Sequence, residues 1–246
     1  MSAPKLVAHR GWALRYPENT RLALLAAIEA GGRYLEVDVQ VSADGVPFLF
    51  HDRTLERLCG VKGPLHAREA AELDGLFASE KGSFGKRFQY EPLARLDHVL
   101  ELLDLHPDVF CFVELKGISL EHHGTEAVLD RVLPLLEDYR ERCALISFSV
   151  PALHAARART DIALGPVLED WDELRSQAVR SLEAEYVFCD IKLLPNEGRL
   201  RLPSGRLAVY EVANPELALE LVERGADFVE TFAIGEMIEA FEYMGL

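Results

Sequence analysis

Short apolar runs recur along the chain: LVAH (6–9), YLEVDV (34–39), VPFLFH (46–51), VFCFVEL (109–115), ALISFS (144–149), IALGPVL (162–168), YVFCDI (186–191), LAVYEV (207–212) and DFVETF (227–232). Most are nearly continuous rather than cleanly alternating. Strands covered on both faces have that pattern. Between most of them the apolar spacing changes to a helical stripe. NTRLALLAAIEAG (19–31) has an Asn/Thr start and a Gly stop. LDHVLELLDLHP (96–107), TEAVLDRVLPLLEDYRE (125–141), VPALHAARART (150–160) and NPELALELVERGA (214–226) behave similarly. This alternation predicts an α/β chain with a parallel sheet, and eight such units close a TIM (β/α)8 barrel. An open doubly wound sheet is the competing architecture. Its nucleotide-binding form is weakened because no GxGxxG follows the first strand.

Two segments break the alternation. Only QVSADG separates the second run from the third, and Asp44-Gly45 signals a hairpin. With a loop at Ala43-Asp44-Gly45, Ser42 faces Val46. His51 then falls opposite Val37, beside Glu36 and Asp38. A slip of one residue would turn every side chain to the other face. The second segment, roughly 53–97, is too long for an ordinary βα loop and rich in Gly, charge and turn residues. It reads as a small inserted subdomain capping one end of the barrel. Residues 1–246 otherwise form a single domain, without repeat or low-complexity tract.

The length of 246 residues and the 49% hydrophobic content suffice for one large core. A formal net charge of −15 disfavours nucleic acid and anionic membrane surfaces. An anionic substrate would therefore need local cations or a metal. Cys59, Cys111, Cys143 and Cys189 include no CxxC pair. They read as reduced residues, the last three in apolar runs, rather than a disulfide frame or zinc site. MSAPKLVAHR lacks the apolar region of a signal peptide, and no apolar run reaches membrane-spanning length. The expectation is a cytoplasmic protein without stable membrane insertion.

Reactive groups of a barrel belong at the C-terminal ends of its strands. Here the first run ends in His9-Arg10, the second carries Glu36 and Asp38, the third ends in His51-Asp52 and the fourth in Glu114-Leu115-Lys116. The i, i+2 spacing puts Glu36 with Asp38, and Glu114 with Lys116, on one face of each strand. Three neighbouring carboxylates repel unless compensated, and hard cations such as Mg²⁺ or Ca²⁺ take oxygen ligands. Two histidines beside such a cation suit phosphoryl chemistry, one taking a proton and the other giving one. Arg10 offers a fork for phosphate oxygens. Lys116 adds charge there or pairs with a metal-binding carboxylate.

Each residue taken singly has a plainer reading. Glu36 and Asp38 can pair with Arg10 and Lys116 in an ion network, and Glu114 with Lys116 across strands. Pro17-Glu18-Asn19-Thr20 can be a helix entry with Asn19 or Thr20 as N-cap, while Glu18 can orient Arg10 or a histidine. Gly11 lets the backbone turn close to a phosphate. The joint recurrence of costly charge at one end of consecutive strands favours a site.

In order and spacing, His9-Arg10-Gly11, Pro17-Glu18-Asn19-Thr20, Glu36-x-Asp38, Asp44-Gly45, His51-Asp52 and Glu114-x-Lys116 resemble the glycerophosphodiester phosphodiesterase family over nearly the whole chain. The resemblance implies a TIM barrel with a small insertion and hydrolysis of deacylated phospholipids, such as glycerophosphocholine or glycerophosphoethanolamine, to sn-glycerol 3-phosphate and an alcohol. It implies that Glu36, Asp38 and Glu114 hold a divalent metal, His9 and His51 act as acid and base, Arg10 binds phosphate and Lys116 assists. The C-terminal part departs from the family. Glu211 and Ala213 replace Thr and Asn of a Trp-Thr-Val-Asn-like strand end, and Phe232 replaces the Asp of a Thr-Asp pair. Glu211 and Glu230 can favour a cationic head group or be surface or ion-paired residues, the latter being the expectation for Glu230. Two rivals stand beside hydrolysis of the deacylated diester. One is a lysophospholipase D-like or cyclising enzyme, with Leu76, Phe77, Phe84 and Phe88 as an apolar lip or as the core of the insertion. The other is a catalytically silent binding barrel.

Overall fold

The computed structural model describes residues 4–246; the first three positions of the N-terminal stretch lie outside it. The described residues form nine strands: β1 (Lys5–His9), β2 (Tyr34–Val41), β3 (Pro47–Leu49), β4 (Phe110–Leu115), β5 (Cys143–Ser147), β6 (Ala163–Leu168), β7 (Tyr186–Asp190), β8 (Arg206–Tyr210) and β9 (Phe228–Thr231). Their order is β1-β9-β8-β7-β6-β5-β4-β2, and β1 also pairs with β2, so the parallel strands close on themselves as a TIM (β/α)8 barrel. Among the described residues, no helix is long and apolar enough to cross a membrane.

Inward and outward faces explain the continuous apolar runs. Leu35, Val37, Val39 and Val41 of β2 pack outward in the large layer under the helices. Inside, Val7, Phe112, Tyr186, Phe188 and Phe228 fill the lumen. Phe112 lies edge-on to Phe188, with ring centroids 5.0 Å apart. These rings plug the lumen, leaving room for polar groups only near the strand ends. The five helices read from periodicity are present, Arg21–Glu29 among them, with Thr20 as its N-cap. Gly117–His123, Gln177–Ser181 and Ile234–Tyr243 add to them. The first two are only 7 and 5 residues long, too short to show an apolar period.

The hairpin has the expected register: Val39 opposite Leu49, Gln40 opposite Phe48, Val41 opposite Pro47, with Ser42 N donating to Val46 O at 2.9 Å. Phe50 N still donates to Asp38 O, but β1 takes the same edge of β2 at His9↔Glu36. His51 therefore leaves the ladder instead of facing Val37. The segment after it folds as very short helices around Phe48, Phe50, Leu55, Leu58, Leu65, Leu73 and Leu93. That small core replaces the one expected from the later aromatics. Leu76 packs only at its edge, Phe77 is 40% exposed, and Phe84 and Phe88 are half-buried against each other. The four cysteines are free, three of them buried and Cys59 half-buried. Burial pushes the thiols of Cys59, Cys143 and Cys189 up to about 12, so they stay protonated near neutral pH.

Gly11 has a packing reason besides the expected one. Its φ is +82°, and a Cβ there would lie 2.6 Å from the carbonyl carbon of Ala23 and 2.8 Å from Leu24 N. The glycine is needed for contact with the first turn of a helix. Gly11→Ala should destabilise the protein by about 2–4 kcal/mol, combining left-handed strain with overpacking. Gly60→Ala, at φ +70° with nothing within 4 Å, should lose only the strain of about 1–2 kcal/mol. Urea unfolding of both variants measures the gap, and equal midpoints would refute the packing role.

Candidate active site

β1, β2 and β4 bring their polar ends into one cavity of about 100 Å³, with His51 arriving from the loop after β3. His9, Arg10, Glu36, His51, Glu114 and Lys116 line it, with Glu230, Tyr210, Phe148 and a floor of Ile146, Val167 and Phe188. Six of the seven residues expected to bind metal or substrate or to move protons thus share one cavity. The seventh, Asp38, is 1% exposed and sits against them.

Asp38 forms ion pairs with Arg10 Nε at 2.9 Å and Lys116 Nζ at 3.1 Å and accepts a hydrogen bond from Asn19 Nδ2 at 2.8 Å. Burial opposes its charge, but the two cations outweigh burial and hold the carboxyl well below its ordinary range. Lys116 Nζ also reaches Glu114 Oε1 at 2.9 Å. Lys116 thus pairs with two expected metal ligands while still bordering the cavity. Glu36 is 2% exposed; its Oε2 accepts Arg10 N at 3.2 Å, and its Oε1 has no hydrogen-bond partner among the described residues. Burial, then Asp38 and Glu230, push its carboxyl well up. Burial and Asp38 also raise Glu114. Oxygens of Glu36, Asp38 and Glu114 lie within 4.8 Å of one another. An all-oxygen set with an unsatisfied buried atom fits a hard divalent cation.

Each histidine has one nitrogen tied to a carboxylate. His9 Nδ1 is 2.9 Å from Glu211 Oε2, and Phe232 N donates to Glu211 Oε1 at 2.8 Å. The Phe232 ring stacks on His9 at 4.3 Å and 9°. Burial lowers the His9 pKa, against the hydrogen bond that His9 donates to Glu211, which raises it. His51 Nδ1 is 3.0 Å from Asp52 Oδ1. With Nδ1 donating to its carboxylate, each ring is left with Nε2 to take or to give a proton.

The loop before the first helix is more than an entry. Thr20 caps the helix, its Oγ1 accepting Ala23 N at 3.1 Å, but Asn19 does not. Asn19 instead grips Asp38 with both side-chain atoms, while its N donates to Arg10 O at 3.0 Å. Glu18 accepts from Arg10 Nη1 at 3.1 Å and from both terminal nitrogens of Arg57. Arg57 continues to Asp52 at 2.7 Å, so the insertion reaches the cavity through one guanidinium.

Two residues escaped sequence reasoning. Arg57 carries no local signal. Glu230 was expected at the surface or in an ion pair, yet it is 2% exposed and lines the cavity. Its parity with Phe228, whose ring fills the lumen, was the available sign. Burial and Glu211 raise its carboxyl well above the ordinary range. Of the C-terminal departures, Glu211 and Phe232 hold His9, whereas Ala213 is exposed and lines no part of the cavity.

Comparison with known proteins bears on the family and the fold. The uncharacterized protein YqiK of Bacillus subtilis is 27% identical over 230 residues, 91% of this chain and 92% of its own. A glycerophosphodiester phosphodiesterase of Caldanaerobacter subterraneus is 31% identical over 146 residues, 58% of each chain. A phosphodiesterase of Oleispira antarctica, solved with the product sn-glycerol-3-phosphate, superposes with a TM-score of 0.79 at 23% identity, covering 98% of this chain and 97% of that one. The profile of the glycerophosphoryl diester phosphodiesterase family matches residues 9–231, so the chain belongs to that family.

Proposed function

We propose that the protein hydrolyses glycerophosphodiesters, such as glycerophosphocholine or glycerophosphoethanolamine, to sn-glycerol 3-phosphate and an alcohol. The observation that carries this reading is the convergence of two carboxylate-tethered histidines, an all-oxygen donor set and two cationic side chains on one small cavity. Glu36, Asp38 and Glu114 would hold Mg²⁺ or Ca²⁺, which when bound neutralises phosphate charge and acidifies the attacking oxygen. Arg10 and Lys116 border the cavity and place positive charge where the diester sits. The Nε2 atoms of His9 and His51 exchange protons with the attacking and leaving oxygens, one taking and the other giving. Glu211 and Asp52 fix which nitrogen of each ring does so.

One observation favours an acylated substrate as the second reading. Phe148 lines the cavity and is 42% exposed, and Phe77 and Tyr90 are exposed on the insertion. A lysophospholipid would lay its chain on such surfaces.

His9→Ala and His51→Ala should each lower kcat/KM for glycerophosphocholine by about 10²–10⁴-fold with an unchanged circular dichroism spectrum; near-normal turnover removes that histidine from proton transfer. Chelation should abolish turnover, and Mg²⁺ or Ca²⁺ should restore it in the parent protein but at least tenfold less effectively in Glu36→Gln. Chelator-resistant cleavage would sink the metal assignment, and no cleavage of any glycerophosphodiester with any divalent cation would leave a silent barrel. Glycerophosphocholine should be turned over faster than lysophosphatidylcholine, and the reverse order would select the second reading.

A further inference from the structure

Glu230 has no part in the chemistry above, yet it is among the least compensated charges in the molecule. It is 2% exposed, and its Oε1 has no hydrogen-bond partner among the described residues. It sits on β9, beside β1, which in turn pairs with β2. These three adjacent strands present Glu230, His9 and Glu36. His9 Nε2 lies 3.9 Å from Glu36 Oε2 and 4.0 Å from Glu230 Oε1, and the three side chains offer donor atoms all within 4.8 Å of one another. Separations near 4 Å are too long for hydrogen bonds. Bonds of about 2.1 Å place donors sharing one ion about 3.4 Å apart at the tetrahedral angle and at most about 4.2 Å apart when opposite, so these side chains need close by only about 0.5 Å to share one.

The imidazole is prepared for such an ion. Its Nδ1 is held by Glu211, Glu211 is anchored on Phe232 N, and the Phe232 ring fixes the ring plane. A carboxylate behind a histidine, leaving the far nitrogen bare, is the usual support of a metal-bound imidazole. The donor set also differs from that of Glu36, Asp38 and Glu114. One imidazole nitrogen and two carboxylates favour borderline ions of the zinc class, whereas three carboxylates favour Mg²⁺ or Ca²⁺.

We propose that His9, Glu36 and Glu230 form a second cation site, selective for zinc-class ions and sharing Glu36 with the all-oxygen set. An ion there takes the Nε2 lone pair, so the site is inhibitory; this half rests on the reading of His9 as a proton carrier.

The test is Zn²⁺ titration of the Mg²⁺-saturated protein by calorimetry, with Zn-edge anomalous diffraction of the parent protein and turnover of glycerophosphocholine in parallel. Expected are one zinc per chain that excess Mg²⁺ does not displace, an anomalous peak between His9, Glu36 and Glu230, at least tenfold weaker binding in Glu230→Gln, retained binding in Glu114→Gln, and loss of turnover as zinc binds. No bound zinc, or no peak at that position, overturns the site. So does binding indifferent to Glu230→Gln, as zinc on the stacked surface pair His66 and His122 would give. Zinc that Mg²⁺ displaces and Glu114→Gln abolishes also overturns it, because the ion is then in the all-oxygen set. Zinc bound as expected with turnover undiminished leaves the site standing and removes both the inhibition and the proton-carrying role of His9. A protein inactive on every diester that still binds one zinc through Glu230 would refute the proposed reaction alone.

Discussion

The buried carboxylate of Asp38 is the interaction on which the rest of the site depends. It gathers a guanidinium from the end of β1, an ammonium from the end of β4 and an amide from the loop before the first helix. A buried ion that loses one partner becomes an uncompensated charge, so these elements are held to fixed positions. Arg10 and Asn19 both adopt left-handed backbone, at φ 57° and 56°. Such conformations are unfavourable alone and persist where surroundings over-determine them. Here the surroundings are Asp38 itself and the bond from Asn19 N to Arg10 O. From Arg10 the network runs through Glu18 and Arg57 to Asp52 and His51. One histidine is therefore set by the insertion and the other by the last strand, while both face a cavity that Asp38 organises.

The same cluster is unbalanced. Asp38 and Glu114 have Lys116 and Arg10 near them, but Glu36 and Glu230 meet mainly other acids and an imidazole. The aromatic floor admits little water to screen them. A barrel with a net charge of −15 thus concentrates its acidity where cations are wanted. Hard and borderline ions would meet different donor sets on either side of Glu36.

Much of this was legible because burial on both faces leaves a plain signature. The nine apolar runs became nine strands, and the Asp44-Gly45 turn fixed the register of the hairpin, beyond which His51 leaves the ladder and still lines the cavity with Glu36. The paired spacings at 36/38 and 114/116 survive because strand parity is rigid. The roles of Asn19 and Gly11 were hidden, since a cap and a flexible turn are local readings and both residues serve contacts with distant segments. The insertion was recognised by its length, but its core was not. Its helices are only three or four residues long, too short for a period to develop. Arg57 was hidden with it. Glu230 was misjudged because acidic side chains are seldom buried, and only its parity with Phe228 argued otherwise.

The closure of the barrel has a consequence for how the protein is made. His9 is made well before its partners: Glu211 is 202 positions later and Phe232 later still. By the time Lys116 has been added, the chain already contains the three carboxylates and both histidines. The nitrogen that keeps the lone pair in His9 is decided only when the end of β8 brings Glu211 to it and Phe232 N, after β9, anchors that carboxylate. A growing chain can thus assemble the acidic half of its site early and stay chemically idle until the last barrel strand has been made. Competence arrives with the last strand, as a property of the finished ring.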